Sequence, residues 1–236
     1  AAEHGIVVLS GNHELYGDLS RRVMMTISEF SPEMEIYSVD EAFLTLPDGP
    51  ELMTAAVRLR ETVKRWTGIP VSVGLAPTKV LAKLASERAK TSGGVFSLLD
   101  AAERERVLAA TPVGDVWGIG QRLSERLCSH GLSTVDRLCA VPDRTLLAIL
   151  GVGGLKLVWE LRGTACLGLE DCPAPKRTVT CSLSFGTAVG KEESLLSAVA
   201  SFTAQAAERM RRQDLRAGWL TVWTEWRDEG TLRWDS

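Results

Sequence analysis

Strand patterns stop at Leu99 and do not resume until Thr178, so no single sheet can run the length of the 236-residue chain. Upstream of that break, strands and helices interleave. Residues 6–9 read as a short strand, and residues 14–30 carry Leu15, Leu19, Val23 and Ile27 at helical spacing before Pro32 stops the helix. Residues 35–46 set β-branched and aromatic residues on either side of Asp40 and Glu41, which reads as two strands meeting at a charged point. Pro47-Asp48-Gly49-Pro50 is a strong turn signal. A helix over 51–66, a strand over 71–75, a helix over 78–90 closed at Gly93-Gly94, and a strand over 95–98 follow. That interleaving fits an α/β sandwich with helices on one face of a mixed or antiparallel sheet.

Beyond Leu99 the pattern is of short helices broken at Gly118-Ile119-Gly120, at Gly131-Leu132-Ser133-Thr134 and at Gly151-Val152-Gly153-Gly154, a small helical domain. Residues 170–177, with two prolines between charges, have linker composition. A third unit is expected after them: a strand over 178–185, a long helix over 192–212 with Leu195, Val199, Phe202 and Ala206 on one face, and a strand over 219–226, a β-α-β pattern cut short.

Composition excludes several classes of function. The longest charge-free stretch, residues 194–207, is well short of the ~18 apolar residues a spanning helix needs, so no membrane span is expected. The chain opens Ala1-Ala2-Glu3-His4 with no basic segment and apolar run of a secretory signal, and its last residues read as a strand; it is expected to be a fragment truncated at both ends. Five cysteines (Cys128, Cys139, Cys166, Cys172, Cys181), odd in number and without a Cys-x-x-Cys pair, encode neither a disulfide framework nor a zinc site. Three scattered histidines offer little for a metal cage or an activated nucleophile. Carboxylate chemistry is what remains.

Asp40 and Glu41 are the most informative pair. Adjacent ionised carboxylates on a short, otherwise apolar β element repel one another and gain stability from a counterion. A shared divalent cation requires them to sit at a tight turn or strand end, because neighbouring side chains on a strand point to opposite faces. An exposed acidic hairpin tip is the alternative. On the helix from Thr78, Lys79, Lys83 and Lys90 fall within a sector of roughly 40°, a stripe suited to phosphates or simply a solvated face. Gly118-Ile119-Gly120 followed by a helix start lets a backbone approach a phosphate closely, with helix N–H groups facing the anion and Arg122 adding charge; a purely structural turn is the other reading. The net charge of −3 is unevenly spread, with seven basic residues against four acidic ones over 176–216. Helix-dipole preference alone accounts for much of that distribution. Trp219, Trp223 and Trp226 do not share one strand face and read as packing or partner contacts.

Taken in order, Ser38-Val39-Asp40-Glu41-Ala42-Phe43, residues 71–85 (VSVGLAPTKVLAKLA) and Trp117-Gly118-Ile119-Gly120 resemble the Y-family translesion DNA polymerases. Asn12-His13-Glu14-Leu15-Tyr16 and Cys181-Ser182-Leu183-Ser184-Phe185-Gly186 look most like the UmuC branch, the catalytic subunit of bacterial DNA polymerase V. The resemblance implies an α+β multidomain fold: a ferredoxin-like palm over 1–97 with a remnant of the fingers at 1–12, a small all-α helix-hairpin-helix thumb over 98–168, a linker at 169–176, and a partial β-α-β little finger over 177–236. Asp40 and Glu41 would be catalytic and bind Mg²⁺, as two of three carboxylates serving nucleotidyl transfer. Lys90 and Ser38 would contact the nucleotide, and Gly118, Ile119, Gly120, Arg122, Lys176 and Arg177 the DNA. By resemblance the partners are template-primer DNA, dNTP, a UmuD-like accessory subunit, a recombinase filament and a sliding clamp, in a bacterial, nucleoid-associated cytoplasmic setting.

The family's first metal carboxylate, its aromatic sugar gate and most of its fingers have no counterpart here, so the fragment itself is expected to be inactive. Two other readings compete with an enzyme of SOS-type repair. One is a non-catalytic, polymerase-like DNA-binding accessory of a mutasome, against which retention of both acids argues. The other is a helix-hairpin-helix module fused to an unrelated α/β domain.

Overall fold

The computed structural model describes residues 5, 7, 11–170, 178–185, 189–228 and 231–234. The chain separates into two compact units, Ala1–Cys172 and Pro173–Ser236.

In the first unit, helix α1 (His13–Ser28) begins where the Asn12 side chain accepts the Leu15 N–H at 3.0 Å, and buries Val23, Met24 and Ile27. Helix α2 (Leu52–Thr67) ends at Gly68, whose φ of 76° is the left-handed conformation that terminates helices. Leu59 and Val63 of α2 meet the buried face of α1. Strands β1 (Met34–Ile36) and β2 (Ala42–Leu44) form an antiparallel hairpin, with Glu35 opposite Phe43. Strand β3 (Val73–Leu75) runs parallel to β4 (Val95–Ser97), joined through α3 (Lys79–Ala89) as the crossover helix. Thr78 caps α3, its hydroxyl oxygen accepting the Leu81 N–H.

The expected single sheet is resolved here as two two-stranded ladders. They are linked by packing rather than hydrogen bonds: Met34, Ala42 and Leu44 from one and Val71 and Val73 at the other lie against the same α1–α2 core. The strand expected at 6–9 falls mostly on residues outside those described.

Helices α4 (Ala101–Ala110), α5 (Gln121–Ser129), α6 (Val135–Ala140) and α7 (Asp143–Leu161) follow, with a short 3₁₀ turn at Val113–Asp115. The glycine run at 151–154 is a kink within α7, where Gly151 alone leaves helical geometry at φ 69°. Val80, Leu81, Leu84 and Ala85 of α3 join Leu127, Leu138, Leu146, Val158 and Leu161 in one buried cluster. Helix α3 therefore packs on strands with one face and on the helical bundle with another.

In the second unit, α8 (Glu192–Arg212) has acids in its first turn and arginines in its last, as the helix dipole favours. Two strand expectations are corrected. Residues 178–185 form no strand, and of 219–226 only the end lies in one, β5 (Glu225–Asp228), which pairs antiparallel with β6 (Thr231–Trp234). The described order is thus α-β-β instead of β-α-β. Alternation alone does not make a strand, which needs a ladder partner for its N–H and C=O groups. Leu183 is 73% and Trp219 94% exposed, so neither of these large side chains is covered.

Candidate active site at the β1–β2 apex

Strands β1 and β2 are three residues each, so their connection holds Asp40 and Glu41 at its tip. Tyr37 N–H and Ser38 N–H both donate to the Glu41 carbonyl, at 3.0 and 3.1 Å, closing the chain tightly enough for adjacent residues to escape strict strand alternation. Ser38 Oγ donates to Asp40 Oδ1 at 2.6 Å and accepts the Asp40 N–H at 3.3 Å. The Ser38 hydroxyl is therefore engaged in orienting Asp40, an exposed carboxylate.

The three lysines of α3 have separate tasks. Lys79 is buried in an ion pair with Glu35 and lies 5.2 Å from the centre of the Phe43 ring. Glu35 also accepts the Glu170 N–H at 2.7 Å. Burial pushes the Glu35 carboxyl up, but the Lys79 hydrogen bond, the Glu170 N–H and the Lys79 charge outweigh it and hold it below the ordinary value. Lys83 Nζ sits 3.0 Å from each carboxylate oxygen of Glu41. Lys90, exposed at the end of the helix, hydrogen-bonds Glu87 at 2.6 Å. That bond raises the Lys90 ammonium above its usual value, and the charges of Glu87, Glu41 and Asp40 add to it against a smaller effect of burial. Lys90 thus feels the apex carboxylates, whereas Lys79 is committed elsewhere. The expected uniform stripe divides because Glu35 and Glu41 each capture one lysine.

A cleft of about 240 Å³ opens beside Glu41, lined also by Lys83, Glu87, Asp115, Val116 and Trp117. A larger groove of about 350 Å³ between α1 and β1, lined by Met24, Met25, Met34 and Ile36, offers no carboxylate and is not where this chemistry resides.

Past Trp117, Gly118 adopts φ 89°, and a Cβ there would meet Leu157 Cδ1 at 2.7 Å. Ile119 is buried and anchors the turn in the core. Gly120 caps α5 without a side chain over the helix end, no acid occupies the first turn, and Arg122 is exposed. The Gln121 and Arg122 N–H groups have no acceptor among the described residues, so the turn presents donors and positive charge to an anion. Lys176 and Arg177 lie outside the described residues.

Among the described residues, no three His, Cys, Asp or Glu side chains are placed to share a metal ion. The two hard carboxylates nonetheless suit Mg²⁺, which keeps several waters and is commonly held by one or two carboxylates plus substrate phosphates. Sequence reasoning missed Tyr37. Its hydroxyl accepts the Trp117 indole N–H at 3.1 Å, joining apex and turn. The only signal was an aromatic residue at each of two motif edges.

Residues 1–87 match the impB/mucB/samB family and residues 176–231 the C-terminal domain of that family. The chain is 41% identical over 214 residues to Protein UmuC of Salmonella typhimurium, covering 88% of this chain and 51% of that protein. It is 35% identical over 162 residues to DNA polymerase IV of Treponema denticola, covering 66% of this chain and 40% of the relative. The chain thus spans about half, or less, of the length of these curated relatives. A solved Y-family DNA polymerase chimera superposes with a TM-score of 0.66 at 20% identity, over 84% of this chain and 58% of the other, a likeness of fold.

Proposed function

The chain belongs to the impB/mucB/samB family, and from that premise we propose that it is the core of a Y-family, UmuC-type translesion DNA polymerase acting in SOS-type repair. One observation carries the reading: a single compact unit joins an exposed carboxylate apex to a glycine turn with free helix N–H groups, through the Trp117–Tyr37 hydrogen bond. Polymerisation on a template requires both, a place for cations at the reacting phosphate and a grip on the backbone that ignores sequence.

In this reading, residues 1–97 form the palm, 98–168 the thumb and 177–236 part of the little finger. Asp40 and Glu41 hold Mg²⁺, which when bound lowers the pKa of a primer hydroxyl and neutralises departing pyrophosphate. Ser38 fixes the Asp40 rotamer. Lys90 supplies positive charge to a nucleotide triphosphate. The N–H groups following Gly118-Ile119-Gly120, with Arg122, Lys176 and Arg177, hold DNA phosphates. The proposed partners are template-primer DNA, dNTP, a UmuD-like subunit, a recombinase filament and a sliding clamp, and the setting is a bacterial cytoplasm.

The test is Mg²⁺-dependent primer extension across an abasic site by a protein of the relatives' full length carrying this chain, with accessory factors supplied. The Asp40→Ala, Glu41→Ala double variant is expected to lose ~10²–10⁴-fold in rate, the scale of several kcal/mol of lost charge stabilisation, with DNA affinity retained. Equal inactivity of parent and variant, with DNA binding intact, would instead establish a non-catalytic accessory.

A further inference from the structure

Trp117 stands immediately before the glycine turn, and Tyr37 just before the carboxylate apex. The indole Nε1–H donates to the Tyr37 hydroxyl at 3.1 Å, and the two rings meet edge-on with centroids 5.3 Å apart. Phe43 of β2 backs both, at 5.8 Å from Tyr37 and 6.1 Å from Trp117. Lys83 Nζ lies 5.0 Å from the centre of the Tyr37 ring and 5.1 Å from that of Trp117, while also pairing with Glu41 at 3.0 Å. One ammonium is therefore shared between an apex carboxylate and two ring faces, and its side chain is only 19% exposed.

We propose that Tyr37, Lys83 and Trp117 are positioning residues forming a latch that transmits cation binding at Asp40 and Glu41 to the glycine turn at 118–120. The inference rests on the reading of apex and turn given above. A divalent cation at Glu41 sets like charge against the Lys83 ammonium and draws away the carboxylate that holds it. Lys83 then moves off the ring faces, and the aromatic contact restraining Trp117 loosens. The turn follows, because Trp117 is covalently continuous with it. The Ile119 N–H, which donates to the Val116 carbonyl at 3.0 Å, and the Leu123 N–H, which donates to Gly120, report that loosening. By linkage, a phosphate seated in the turn changes cation affinity at the apex by the same factor as the cation changes phosphate affinity at the turn.

The latch is tested by hydrogen exchange of the chain, read by mass spectrometry, with Mn²⁺ as the probe. In the wild type, Mn²⁺ should change exchange in the segment 36–42 and accelerate it in 116–124 by at least ~5-fold, the lower end of ordinary coupling between sites. Glu41→Gln, which frees Lys83 without any metal, should accelerate 116–124 by itself. Tyr37→Phe and Trp117→Phe should each keep the response at 36–42 and cut that at 116–124 below ~2-fold, and the double variant should add little, because both remove one bond. A response at 36–42 that never reaches 116–124, or one that survives in both variants, overturns the latch. Absence of any response at 36–42 overturns it together with the metal reading of the apex, and primer extension then shows separately whether the polymerase reading falls.

Discussion

Two carboxylates buried away from the apex hold the site's framework. Glu160 is fully buried: one oxygen accepts the Val80 N–H at 3.3 Å and the other the Leu167 N–H at 2.9 Å, while its carbonyl accepts the Thr78 hydroxyl at 2.8 Å. It thereby ties the start of the lysine helix to α7. Glu160→Gln turns an amide N–H₂ toward backbone donors and should cost ~1.5–3 kcal/mol in urea unfolding, the scale of a buried charge-assisted hydrogen bond. Glu35 contributes to the pH dependence. Its carboxyl is held below its ordinary value of 4.5, so its stabilising effect is complete above that pH and is lost as pH falls through the folded-state value. Unfolding midpoints should fall on acidification below about pH 4.5, and Glu35→Gln should flatten that part of the profile. Among the thiols, burial pushes Cys139 up to about 11, against the pull of Arg162. In the native protein the exposed Cys128 should be alkylated while Cys139 reacts only on unfolding, as peptide mapping would show.

At the scale of elements, the approach of β3 to α3 depends on a missing side chain. A Cβ on Gly74 would lie 2.2 Å from the Ala82 carbonyl oxygen and 2.3 Å from the Ser86 nitrogen, both backbone atoms of α3. Gly74→Ala must force strand and helix apart, and a loss of ~3 kcal/mol or more is expected in thermal unfolding. Gly118→Ala meets a left-handed φ and the Leu157 methyl, at ~1–2 kcal/mol for the backbone alone. It should weaken DNA binding. The helices were legible beforehand because their signals are local: apolar residues at helical spacing, with Pro32 and Gly93-Gly94 as stops. The stretch at 178–185 was misread because strand character is completed by a neighbour in space.

For the whole molecule, a net charge of −3 hides a local basic balance, so duplex binding should fall steeply with salt. Arg122→Ala should weaken binding to all duplex sequences alike and reduce the slope of log affinity against log salt by ~0.9, the release of about one phosphate's counterion. The sequence by itself determined most of the helices, the break in architecture at Leu99, the placing of Asp40 and Glu41 at a hairpin tip, and the glycine turn before α5. All of these depend on residues within a few positions of one another, where backbone preferences and periodicity act. Tertiary structure alone decided which lysine serves which acid, that Glu160 anchors α3, and that Tyr37 meets Trp117 across eighty residues. Side chains so far apart in sequence find each other only when a packed core fixes the elements that carry them, and no local pattern encodes that register.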